Sequence, residues 1–111
     1  MKNRINGKWR IIEMEMWDQH FIDAEVPGYI MFEDDMTGEF QFGYVHGYID
    51  YHFLKKGNKD IVEFTWEGND EMDPASGRGT ASVENEHLYG RIYFHQGDDS
   101  DFKAIRETNK T

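Results

Sequence analysis

The sequence reads as an all-β protein: an eight-stranded antiparallel up-and-down (meander) β-barrel, one domain over residues 1–111. Three observations predict it. Short runs of alternating apolar and polar residues recur along the whole chain, split by turn residues such as Gly, Asn and Asp, with no repeat, low-complexity tract or linker between them. Eight such runs are present, the number at which a sheet closes on an interior just filled by side chains. The chain ends are also complementary. In Ile5-Asn6-Gly7-Lys8-Trp9-Arg10 the glycine lets the backbone turn inward and the indole plugs the barrel base. In Phe102-Lys103-Ala104-Ile105-Arg106, alternation puts Arg106 on the face of Phe102 and Ala104, where its guanidinium can lie across Trp9.

The predicted strands cover residues 7–17, 29–34, 38–45, 47–54, 60–67, 77–84, 88–95 and 101–107. In the first, Trp9 and Ile11 fall on one face but Ile12, Met14 and Met16 on the other, which calls for a β-bulge near Ile11 and Ile12 that leaves Glu13 and Glu15 outside. Phe40, Phe42 and Tyr44 share the inner face of the third run, Ile49, Tyr51 and Phe53 that of the fourth, and Val62, Phe64 and Trp66 that of the fifth. The sixth and seventh runs present Gly79, Ala81, Val83, Leu88, Gly90, Ile92 and Phe94, with small residues where the facing aromatics need room. The eighth run returns to the first and closes the sheet.

Composition bounds the function. A chain of 111 residues is large enough for a core without metal or disulfide support, and it contains no cysteine. No charged segment followed by an apolar run precedes Trp9, and no apolar stretch approaches the roughly 20 residues of a membrane helix. The expectation is a soluble cytoplasmic protein, in which the Asn109-Lys110-Thr111 triplet is inert. A formal net charge of −10 argues against nucleic acid and against an anionic membrane surface as partners, and favours cationic partners or metal ions.

On Gly7-Lys8-Trp9 and the inward Arg106, within a meander that spans nearly the whole chain, the sequence resembles the calycin group, the barrels of lipocalins, fatty-acid-binding proteins and avidins. The resemblance implies a calycin-like barrel. The chain is shorter than a lipocalin, lacks the disulfides of many secreted members and shows no C-terminal helix. Three further stretches, Trp66-Glu67-Gly68-Asn69-Asp70-Glu71, Ser76-Gly77-Arg78-Gly79 and Phe94-His95-Gln96-Gly97-Asp98-Asp99-Ser100, are similar to small uncharacterised bacterial proteins, which implies a bacterial origin and no particular chemistry.

Meander topology places every second connection at the end opposite the termini, and there the connections read as the longer ones. They carry Asp18, His20, Asp23 and Glu25, then His46, then Glu67, Asp70, Glu71 and Asp73, then His95, Asp98, Asp99 and Asp101, with Arg78 as the nearby counter-charge. Lys2, Arg4, Lys8, Lys55, Lys56, Lys59, Arg106 and Lys110 belong to the closed end, so a negative mouth is expected. Beneath it, Trp17, Tyr44, Trp66 and Phe94 would form an aromatic floor, with Phe21 and Ile22 as a cover and Pro27 holding the return into the second strand. Aromatic faces over an acidic rim suit a small cationic or metal-associated ligand. The expected ligand-binding set is therefore Trp17, Asp18, Tyr44, His46, Trp66, Glu67, Asp70, Arg78, Phe94, His95 and Asp98.

Other chemistry has less in its favour. Asn69-Asp70-Glu71-Met72-Asp73-Pro74 has the alternating oxygens of a calcium loop, but Pro74 stands where glycine is needed and no bidentate Glu follows at the required distance. Zinc spacing is absent, the metal and any cofactor stay unassigned, and carboxylates that cap turns and pair with Arg78 are the simpler account. His95, Asp98 and Ser100 are the residue types of a hydrolytic triad, yet they crowd one connection. Glu67 and Asp70 can be read as paired catalytic carboxylates or as a solvated rim. Gly77-Arg78-Gly79 lacks the third glycine and helix of a phosphate loop. An enzyme on the same mouth is the alternative to a binder. A protein-interaction barrel is the third class, possible as a homodimer through Tyr89, Tyr93, Ile105 and Ile12 on the outer face.

Overall fold

A computed structural model describes residues 5–56 and 59–107, apart from the side chains of residues 55, 56, 59 and 60. The alternating runs form β1 (Gly7–Met14), β2 (Tyr29–Phe32), β3 (Thr37–Phe42), β4 (Val45–Lys56), β5 (Lys59–Asp70), β6 (Asp73–Glu84), β7 (His87–Phe94) and β8 (Asp99–Arg106), with a one-turn helix, α1 (Gln19–Ile22), between β1 and β2. Each strand pairs with its sequence neighbour, all antiparallel, and β1 pairs with β8 to close an eight-stranded barrel. Lys2, Arg4, Lys110 and the Asn109–Thr111 triplet lie outside the described residues.

Closure follows from the inner faces. Trp9, Ile11, Ile30, Phe32, Phe40, Phe42, Val62, Leu88, Ile92 and Ala104 are all essentially solvent-free, and they come from six of the strands that surround them. Small residues make room for large ones as expected: a Cβ on Gly79 would come within 2.4 Å of the Phe64 ring. The bulge is present too. Between Ile11 and Glu13 the β1–β8 register shifts by one residue, so Met14 turns inward while Glu13 and Glu15 stay outside. Ile12, the extra residue, faces outward instead of joining Met14, and Met16, expected on the same inner face, is 48% exposed because the strand has already ended.

The end expected to carry long loops differs from that reading. Residues 15–28 do form a long connection, but β3 and β4 are joined through Gly43 and Tyr44 alone, and β5 and β6 through Glu71 and Met72 alone. Tyr44 therefore leaves the face of Phe40 and Phe42 and stands exposed in a turn. The stretch 68–76, expected as a loop, is almost entirely strand: Gly68 pairs with Ala75, Asn69 with Pro74 and Asp70 with Asp73, and Ser76 pairs back to Glu67. Strand pairing satisfies these backbone groups wherever the partner chain continues, and turn residues such as Asn69 and Asp70 do not outweigh that. The β5–β6 hairpin consequently projects past β7, which pairs with β6 only from Gly77 onward. Among the described residues no helix is long and apolar enough to cross a membrane.

Candidate functional site

The connection over the mouth is built from three local devices. Asp18 caps α1, its Oδ1 accepting the Phe21 N–H at 3.0 Å. Asp23 then ties the connection down, accepting from Arg10 Nη2 at 2.7 Å, from Gln19 Nε2 at 3.0 Å and from the Gly28 N–H at 2.8 Å. Burial works to raise the Asp23 carboxyl pKa, but the Gly28 amide, the Gln19 amide and the Arg10 guanidinium outweigh it and hold the group below the ordinary carboxylate value. Finally, Ser100, wholly buried on the inner face of β8, accepts the Met16 N–H at 3.1 Å and donates to the Asp101 carbonyl at 2.9 Å.

Held this way, the connection lays its aromatics into the mouth. Trp17 packs on Phe42 at a centroid distance of 5.1 Å, on Phe21 at 5.9 Å and on Phe94 at 6.1 Å. Phe94 meets Trp66 edge-on at 5.2 Å, and Trp66 meets Phe40 at 5.0 Å while its Nε1 donates to the Tyr93 carbonyl at 3.2 Å. Trp17 and Trp66, expected with Phe94 to be the floor of a ligand site, thus each contact Phe94 and their core neighbours, and this chain of rings occupies the upper interior. Tyr44 touches the rim of Phe21 at 6.0 Å and, with Asp18, borders a shallow hollow outside α1.

Carboxylates at this end are compensated by Arg10 and Arg91, whereas Arg78, expected to be their counter-charge, has no acidic partner among the described residues. Arg91 bonds Asp99 at 2.7 Å, Asp101, and Glu15 at 3.4 Å, and these hydrogen bonds raise its own pKa further. The same cluster lies between Tyr93 and Tyr89 on the outer wall and divides the apolar patch read from the sequence, while Lys103 lies over the Tyr89 ring. His46 packs against Tyr48 at a tilt of 52°, 4.8 Å between centroids. Asp70 and Asp73 pair at the hairpin tip, and the Asp98 carbonyl accepts the Phe94 N–H. Among the described residues no three His, Asp or Glu side chains are placed to hold a metal ion. Ser100, being wholly buried and hydrogen-bonded, is not available as a nucleophile to His95.

Glu67, Arg78 and His95 are brought together, but on the outer wall instead of inside the barrel. The projecting hairpin and the β7–β8 turn, joined by the His95 N–H to Ser76 carbonyl bond at 2.7 Å, flank two adjoining clefts that share Ser76, His95 and Gln96. One, of about 620 Å³, is bordered by Tyr48 and Glu67; the other, of about 440 Å³, by Thr65, Arg78 and Tyr93. Arg78 lies over the Tyr93 ring, 4.7 Å from its centre. Tyr48, Thr65, Ser76, Tyr93 and Gln96 are absent from the expected set. Strand alternation already puts Tyr48, Thr65 and Tyr93 outside, but their meeting depends on the hairpin's extension, which the Asn and Asp residues at its tip conceal. Comparison with family models, with curated proteins and with solved structures returns no match.

Proposed function

We propose that this protein is a calycin-like small-ligand-binding barrel that takes an organic cation at its rim, in the cleft between Tyr48 and Glu67, and not in its interior. The observation that carries the reading is the pairing of these two residues. Tyr48 and Glu67 are direct cross-strand partners on the outer face of β4 and β5, Tyr48 is 58% exposed, and among the described residues the Glu67 carboxylate has no hydrogen-bond or ion-pair partner. An ammonium group set against Glu67 would gain a charge-assisted hydrogen bond, and its carbon body would lie on the Tyr48 ring. The filled interior and the cleft of about 620 Å³ both favour an external site for a small molecule.

The test is isothermal titration of n-hexylamine and benzylamine against wild type, Glu67→Gln and Tyr48→Ala. Loss of the charged partner should weaken binding roughly tenfold or more, and loss of the ring by about two- to tenfold. Amines that fail to bind wild type, or that bind Glu67→Gln equally well, would overturn the reading.

A further inference from the structure

We infer that the ligand is a zwitterion, an amine whose carbon chain also carries a carboxylate, with the carboxylate held by Arg78 in the second cleft. The inference rests on the amine reading above and extends it. In a chain with 22 acidic residues and 12 basic ones, an arginine without an acidic partner is conspicuous. Arg10 has Asp23, and Arg91 has Asp99, Asp101 and Glu15. Arg106 is spread over Trp9 and donates to the Asn6 carbonyl. Arg78 has, among the described residues, only the face of Tyr93.

Its two nearest carboxylates on β5 are the diagonal neighbours Glu63 and Glu67, since Arg78 pairs with Thr65. Glu63 is turned to His52 across β4, at 3.3 Å. Among the described residues Glu67 has no partner either, so the two opposite charges sit on the same face without closing on each other. Diagonal positions of this kind lie about 7–8 Å apart, with their Cβ atoms somewhat closer. Between the two stand Ser76 and Thr65, whose hydroxyls can hydrogen-bond a carboxylate, and the Gln96 amide. A guanidinium stacked on a ring keeps its edge donors free in a fixed plane, which suits bidentate capture of a carboxylate. A ligand that spans the two clefts would therefore set its ammonium at Glu67 and its carboxylate at Arg78, with the charges separated by a chain of several carbons.

The experiment is titration of wild-type protein with glycine, 4-aminobutyrate and 6-aminohexanoate beside n-hexylamine and hexanoate at one ionic strength. Affinity should rise from glycine to 6-aminohexanoate, and 6-aminohexanoate should bind at least about tenfold tighter than n-hexylamine. Arg78→Gln should reduce 6-aminohexanoate to the level of n-hexylamine, and Arg78→Lys should retain part of the gain. Because Arg78 is exposed, the unfolding midpoint of each variant reports separately whether the barrel is intact. If n-hexylamine binds wild type and 6-aminohexanoate binds no tighter, the zwitterion inference alone is overturned. A gain that survives in Arg78→Gln also overturns it, because the carboxylate is then held elsewhere. If neither compound binds, the amine reading and the inference fall together.

Discussion

The guanidinium of Arg106 lies 4.0 Å from the centre of the Trp9 ring, at the point where the last strand meets the first. Trp9 is 1% exposed and donates its indole N–H to the Ile5 carbonyl at 2.8 Å, so the segment before β1, the plug and the last strand are joined at one place. Arg106 also donates to the Asn6 carbonyl. Replacing Arg106 by Met keeps an unbranched side chain over the ring but removes the charge and the donor. Stability should fall by about 1–3 kcal/mol, the sum of a cation–π contact and one hydrogen bond. Urea unfolding of both proteins measures the difference, and an unchanged midpoint would show that the contact contributes nothing.

Gly7 and Arg106 are coupled through the same contact. Gly7 has φ +119°, a backbone conformation open to glycine, and a Cβ built there would stand 2.5 Å from Arg106 Nη1. Gly7→Ala should therefore cost two separable things, backbone strain of about 1–3 kcal/mol and displacement of the guanidinium. In an Arg106→Ala background only the strain remains. A double-mutant cycle should show Gly7→Ala to be less damaging without Arg106, by roughly 0.5–2 kcal/mol, whereas strict additivity would mean that the side chain simply moves aside.

Asp23 should make stability depend on pH in a defined sense. Its carboxyl pKa is held down in the folded chain relative to its ordinary value, so the native state binds the proton less readily than the unfolded state. Its contribution is fully present above the unfolded carboxylate pKa of about 3.9 and is lost as pH falls through the lower folded value. Asp23→Asn should cost about 1–3 kcal/mol at neutral pH, since it leaves Arg10, whose Nε is already buried without a partner, with no counter-charge. The gap between wild type and variant should close progressively below about pH 4. Hydrogen exchange should locate the effect at the Gly28 amide, which donates to Asp23, and faster exchange spread over the whole barrel would instead indicate a global role.

Trp9, Arg106 and the bulge at Ile12 were legible in the sequence because each depends on local alternation and on the ends of a closed sheet being neighbours. Tyr44 and the stretch from Gly68 to Ser76 were not. Whether Asn69 and Asp70 turn or pair is decided by the opposite strand, and β4 happens to extend far enough to pair with both. The acidic mouth was legible as composition but not as balance. Arg10 and Arg91 lie mid-strand in the sequence; the β7–β8 register sets Arg91 opposite Asp101 and diagonal to Asp99, and the folded β1–β2 connection brings Asp23 to Arg10. Glu67, Arg78 and His95 were found by assigning them to one end of the barrel, while the wall they share follows from the projecting hairpin.

Trp17 separates an external site from an internal one. Its indole fills the mouth between Phe21, Phe42 and Phe94, so Trp17→Ala should open a space lined by those rings and destabilise the fold by about 3 kcal/mol. Small aromatic molecules such as indole should then stabilise the variant by filling the space, and should have little effect on wild type. Amines bound at Tyr48 and Glu67 lie on the far side of the wall, so their affinity should change less than about twofold. If Trp17→Ala abolishes amine binding while the barrel remains folded, the ligand contacts the aromatic floor, and the site belongs inside the mouth and not on its rim.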